Sequence, residues 1–218
     1  MLNEFDYELG RRGLDFTRYA DDVVIVLKSK AAATRVMYSI TDWIERKLGL
    51  KVNATKTKVT PPSKLKYLGF GFWKDKEGWE ARPHVSSVER LKRKLKALCK
   101  RSWSIDLAFR IKNINEVSRG WIICFRIGSM KAKLKSIDER LRTQIRVIIW
   151  KQWIVPGKRL GGLKLGVPDW IAHKVAYWGD HYQFAATKSA LARAVSKEKL
   201  TKRGLVSLFD DYLKVAHI

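Results

Sequence analysis

Tyr19-Ala20-Asp21-Asp22 is the stretch of this chain best equipped for chemistry. Two adjacent carboxylates repel each other, and the apolar run VVIVLK follows them directly. A divalent cation relieves that repulsion. Mg²⁺ takes one or two carboxylates and fills its remaining positions with water and substrate phosphates. Two such ions about 4 Å apart can activate an attacking hydroxyl and stabilise the leaving oxygen of a phosphoryl transfer. The plain alternative is an Asp-rich turn, because four-residue matches arise by chance.

The flanking sequence supplies elements to hold such a pair. LDFTRY before it and VVIVLK after it read as a β-hairpin, with the second strand apolar enough to be buried on both faces. Residues 3–12 read as the end of a helix stopped by Gly13. Val36, Ile40, Ile44 and Leu48 recur every four residues and predict a helix over 31–48, ended by Gly49. KLKYLGFGFWKD and GWEARP predict a second hairpin, turning near Lys76, Glu77 and Gly78.

The texture changes after Pro83. A helix capped by Ser86 or Ser87 carries Val88, Leu91, Leu95 and Leu98 on one face. A second is predicted from Asn113, with Glu116 closing a capping box, and carries Ile114, Val117, Trp121 and Phe125. A third runs from Ser129 to about Trp153, with Leu134, Ile137, Leu141, Ile145 and Ile148 inward, closed by Pro156-Gly157. Three amphipathic helices with short connections make a small bundle. Trp121, Trp150 and Trp153 fall near its apolar spacing and read as core. GKRLGGLKLG then reads as a flexible opening to a mostly helical tail.

The 218 residues carry a formal charge of +24. Residues 1–85 hold 16 basic and 11 acidic side chains, residues 86–160 hold 20 and 5, and residues 161–218 hold 9 and 5. The excess therefore sits in the middle third, as expected of a polyanion binder, with nucleic acid the default polyanion. Lys92, Arg93, Lys96 and Lys100 lie on or near one helical face, and Arg119, Arg126, Arg142, Arg146 and Lys151 extend the basic cluster. Hydrophobic residues make up 46%, enough for a core, and no apolar run is long enough for a membrane span. MLNEFDYELG has no signal-peptide pattern, and Cys99 and Cys124 form neither metal spacing nor a disulfide framework. A reduced, cytoplasmic location fits. His84, His173, His181 and His217 do not cluster.

Several blocks, in order, resemble the reverse transcriptases encoded by group II introns. RYADDVVIVLKS resembles their palm hairpin, LGLKVNATKTKV and KYLGFGF the next two blocks. SSVERLKRKLKAL, INEVSRGWIICFRIGS and LRTQIRVIIWKQW resemble the thumb, or maturase-specific domain. AHKVAYWGDHYQFA and LTKRGLVSLFDDYL resemble the usual extension.

The implied fold is α+β. Residues 1–85 would be the end of a palm built of β-hairpins plus a helix, residues 86–155 an all-α thumb or maturase bundle, and residues 156–218 a helical extension. The implied activity is RNA-directed DNA polymerisation with Mg²⁺, coupled to intron RNA binding, splicing and mobility.

The resemblance also assigns roles. Asp21 and Asp22 would hold metal, Asp21 the more direct ligand. Tyr19 and Ala20 would border the primer end and nucleotide. Lys56 would approach the triphosphate, unless it is an ordinary surface lysine. Gly69 and Gly71 would admit a primer strand, unless they are bulge glycines. The nine basic residues named above would grip RNA.

The family's fingers and a further metal-binding aspartate belong before residue 1. DNA synthesis is therefore expected only with an N-terminal reverse-transcriptase half supplied in trans. Structured intron RNA is the expected partner, with a DNA primer second. The alternative is a non-catalytic RNA-binding maturase module or truncated remnant.

Overall fold

The computed structural model describes residues 2–76 and 78–216, so Glu77 and His217 lie outside the described residues. The fold is α+β, mostly helical with small antiparallel sheets. It divides into two compact units, residues 1–67 and 68–218.

In the first unit, α1 (Leu2–Arg11) leads into the hairpin β1 (Asp15–Tyr19) and β2 (Asp22–Val26). The register runs from Asp15 opposite Val26 to Tyr19 opposite Asp22. α2 (Lys30–Trp43) follows, with Ser29 as its cap, and continues as a π-helical turn, Ile44–Leu48, to Gly49. Gly49 has φ 64°, the left-handed conformation that ends helices and that glycine adopts without strain. A two-residue strand, β3 (Lys66–Tyr67), ends the unit.

The core of this unit is Phe5, Leu9 and Ile40, with Val23, Ile25, Val36 and Ile44 packed around it. β2 departs from the expectation of burial on both faces. Val23, Val24 and Ile25 are half-buried and Val26 is 63% exposed. The cause is the two-stranded sheet: Phe16, Val23 and Ile25 pack against the small core of this unit, while Val26 lies at the sheet's exposed end.

The second unit opens with the hairpin β4 (Phe70–Asp75) and β5 (Gly78–Pro83), followed by α3 (Val85–Leu98), α4 (Leu107–Phe125) and α5 (Lys131–Gln152). These three helices bury the predicted residues Val88, Leu91, Leu95, Ile114, Leu134, Ile137, Leu141, Ile145 and Ile148. Trp150 is fully buried, and Trp121 and Trp153 are half-buried against the same core. Phe70 meets Phe125 at 5.0 Å between ring centres, which seats the hairpin on α4.

Three boundaries differ from the sequence expectation. α3 is capped by His84, whose Nδ1 accepts from the Ser86 amide at 3.2 Å, while Ser87 Oγ donates to Gly69 O at 2.8 Å. α4 begins at Leu107 rather than Asn113, because Asp106 accepts from the amides of Ala108 (2.8 Å) and Phe109 (3.3 Å). The segment expected to be flexible is a helix, α6 (Pro156–Lys164). Two glycines of the segment serve close packing: a Cβ on Gly162 would lie 2.4 Å from the Trp153 ring, and one on Gly166, just past the helix, only 2.5 Å from Ala194 Cα.

The remaining helices are α7 (Asp169–Ala176), α8 (Tyr182–Thr187), α9 (Ser189–Ala194), α10 (Lys197–Lys202) and α11 (Leu208–Val215). Buried Asp138 of α5 accepts from Ser207 Oγ (2.7 Å) and from the amides of Leu208 (2.9 Å) and Phe209 (3.0 Å). A bundle carboxylate thus caps the last helix.

Candidate nucleic-acid interface and carboxylate pair

The chain reverses at Ala20-Asp21, between the opposed residues Tyr19 and Asp22. Ala20 has φ 49°, a left-handed conformation that costs a residue with a Cβ roughly 1–2 kcal/mol. Arg18 holds this turn. Its guanidinium binds the Asp6 carboxylate through two hydrogen bonds, of 2.7 and 2.5 Å, and donates a third to Ala20 O at 3.0 Å. The hydrogen bonds from Arg18 hold the Asp6 carboxyl below its usual range, and those to Asp6 raise Arg18 in turn, with a smaller contribution from Asp21.

Tyr67 braces the hairpin from β3, its hydroxyl 3.5 Å from Thr17 O and 3.4 Å from Asp22 O. Burial, then the negative charge of Asp22, raises its phenol. Arg18 and Tyr67 are positioning residues that the sequence reading passed over. No local spacing signals Arg18, because its partner Asp6 lies 12 positions upstream on α1.

Asp21, Asp22 and Tyr19 are all solvent-exposed. Among the described residues, no cluster of three or more His, Cys, Asp or Glu side chains could hold a metal ion. The two aspartates are suitable hard oxygen donors for a divalent cation but form a partial ligand set. Lys56 is exposed on an Asn53 turn, in which Asn53 Oδ1 accepts from Thr55 N (3.1 Å) and Lys56 N (3.2 Å).

Gly69 sits in the second unit with φ 84°. A Cβ there would press to 3.1 Å on both Phe125 and Ser87, so protein packing already requires a glycine. Gly71 lies in β4 opposite Arg82.

The nine basic residues divide by surroundings. Arg93, Lys96 and Lys100 are exposed at three- and four-residue spacings on α3 and its end, with no ion pair among the described residues. Arg126 is also exposed. Lys92 pairs with Glu89 at 2.8 Å, and Arg119 with Asp211 at 3.5 Å. Lys151 donates to Arg101 O at 3.2 Å. Arg142 is half-buried. Arg146 turns inward and donates to Val195 O at 3.1 Å, and burial, then Arg142, lowers its pKa.

Two buried arginines escaped the sequence reading. Arg110 caps the end of α3 by donating to Leu98 O, Lys100 O (3.3 Å) and Trp103 O (2.6 Å). Arg159 donates to Trp153 O at 2.8 Å, lies 5.0 Å over Trp150 and reaches Asp180 at 3.5 Å.

Residues 1–72 match the family model for reverse transcriptase (RNA-dependent DNA polymerase), and residues 88–164 match the group II intron maturase-specific domain. Together the two matches are those of the C-terminal portion of a group II intron reverse transcriptase/maturase. Asp21, Asp22 and Lys56 fall within the reverse-transcriptase match, and all nine basic residues within the maturase match. Residues after 164, α7 included, lie outside both matches. No curated protein matched the chain. The family implies binding to intron RNA and a divalent-cation requirement. Among the described residues, no helix is long and apolar enough to cross a membrane.

Proposed function

We propose that this protein binds structured intron RNA through the outer face of α3 and supports splicing and mobility of that intron. The observation that carries this reading is the unpaired, exposed row Arg93, Lys96 and Lys100 inside the maturase match. Exposed long cations held in no ion pair are free to contact phosphates. Such contacts supply affinity and register, with little sequence information. The domain reading follows: residues 1–85 a palm segment, 86–155 the thumb, 156–218 the extension.

DNA synthesis belongs to the same reading only when the carboxylate pair is completed. Asp21 and Asp22 would hold Mg²⁺, which supplies activation of the primer hydroxyl and neutralisation of developing phosphate charge. Tyr19 and Ala20 would border the primer end, Lys56 would meet the triphosphate, and Gly71 would lie beside the primer strand. Further ligands must come from outside the described residues, such as an N-terminal reverse-transcriptase half in trans. The second reading is a maturase module that binds RNA without catalysis of its own.

Primer extension on an RNA template with Mg²⁺ separates the two. The chain is assayed alone and with a fingers-and-palm fragment, each with an Asp21→Ala control. Extension only in the supplemented arm, lost in Asp21→Ala, establishes the polymerase reading. No extension in either arm, with intron RNA binding intact, leaves the binding module.

A further inference from the structure

Aromatic rings in this molecule range from buried to largely exposed, and Trp170 and Tyr177 are among the most exposed. Trp150, Trp121, Phe125 and Trp153 are committed to the bundle core. On α7 the arrangement is reversed. Ala172, Val175 and Ala176 are buried, while Trp170 is 71% and Tyr177 73% exposed. His173 and Lys174 are exposed between them. Positions 170, 173, 174 and 177 share one helical face. That face is about 10 Å long at the rise of an α-helix.

Two large rings held in water on one face are costly to leave uncovered unless something uses them. The neighbouring Asp169 is neutralised by Lys164 at 3.1 Å, and Lys174 makes no ion pair among the described residues. The stripe is thus aromatic with a free cation, on a chain of charge +24. Flat rings beside a cation match an unpaired base and its phosphate. A duplex keeps its bases stacked internally and offers the rings no face to stack on.

We propose that the Trp170–His173–Lys174–Tyr177 face of α7 is a stacking platform for unpaired bases of single-stranded nucleic acid. It rests on the nucleic-acid reading above but uses a separate surface from the α3 grip. RNA and DNA share the required chemistry, and separate arms of the test distinguish them.

The test uses the full chain and fluorescence anisotropy. Probes are a labelled single-stranded RNA, the same sequence as DNA, and the matching duplexes. The Trp170→Ala/Tyr177→Ala variant should weaken single-strand binding about 5- to 150-fold for each stacked base lost. Duplex binding should be unchanged, and Trp170→Phe/Tyr177→Phe should retain single-strand affinity. The arm that shows the loss names the strand type. By contrast, Arg93→Glu/Lys96→Glu/Lys100→Glu should weaken single strands and duplexes alike. No loss in the alanine variant, or equal loss for both forms, overturns the platform. So does an alanine variant whose only change is in self-association. A wild-type chain that binds none of the probes fails the underlying nucleic-acid reading as well.

Discussion

Charged side chains in this protein do three different jobs, and their partners decide which. Arg18 spends its guanidinium on Asp6 and on Ala20 O, so it shapes the carboxylate turn rather than contacting a ligand. Arg110 and Arg159 are buried cations held by backbone carbonyls at helix ends, where the partial negative charge of the helix dipole favours them. Arg93, Lys96 and Lys100 face solvent and make no ion pair among the described residues, Arg93 only contributing to the field at Glu89. Sequence pattern alone put Arg146 with this last group, because its inward carbonyl partner, Val195 O, is 49 positions away. The aspartate pair and the α3 row were legible from residue type and spacing. The buried arginines were not, since pattern reading assigns cations to the surface.

Glu8 is the clearest titration case. Hydrogen bonds from Arg11, then Arg12, hold its carboxyl down from an ordinary 4.5 to about 2. A depressed carboxyl contributes stability above its unfolded pKa and loses it as pH falls through the folded one. Amide protection in α1 should therefore decline between about pH 4.5 and 2. Glu8→Gln should weaken that dependence and leave the part carried by Asp6, which hydrogen exchange across the pH range reads directly.

At the scale of elements, the helices with regular apolar repeats were legible. α2, α3 and α5 follow from positions such as Ile40, Leu91 and Ile145, each buried as its period requires. The start of α4 was misplaced because Arg110 occupies a core position where the repeat shows a charge. α6 was missed for another reason. Gly161 and Gly162 suggest a loop by composition, but Gly162 exists to admit the Trp153 ring. Gly166, just beyond α6, lets the chain pass the backbone of α9.

A Cβ at Gly166 would strike Ala194 backbone atoms that cannot swing aside. Gly166→Ala should cost about 1–3 kcal/mol by overpacking, read as a lowered urea midpoint. Gly161→Ala meets nothing within 4 Å and should be neutral or mildly stabilising in the same titration.

Asp138→Ala leaves the Ser207 cap of α11 but strands the Leu208 and Phe209 amides, at about 2–3 kcal/mol. That should lower the melting temperature by several degrees. An unchanged melt would show that α11 does not depend on this carboxylate.

For the whole molecule, the excess charge is a statement about partners. The two family matches account for residues 1–72 and 88–164, and the second spans the most basic third of the chain. The order of blocks carried the family into view. The exposed ring face of α7 needed coordinates, because Trp170 and Tyr177 look in sequence like any other aromatic.

The most direct test of the account is the salt dependence of intron RNA binding. Affinity should fall linearly on a double-logarithmic plot, with a slope of roughly −0.7 to −0.9 per phosphate contacted. Arg93→Glu/Lys96→Glu/Lys100→Glu should weaken binding and flatten the slope by about 2 to 3. An unchanged slope and affinity in that variant would contradict the assignment of the RNA grip to the outer face of α3.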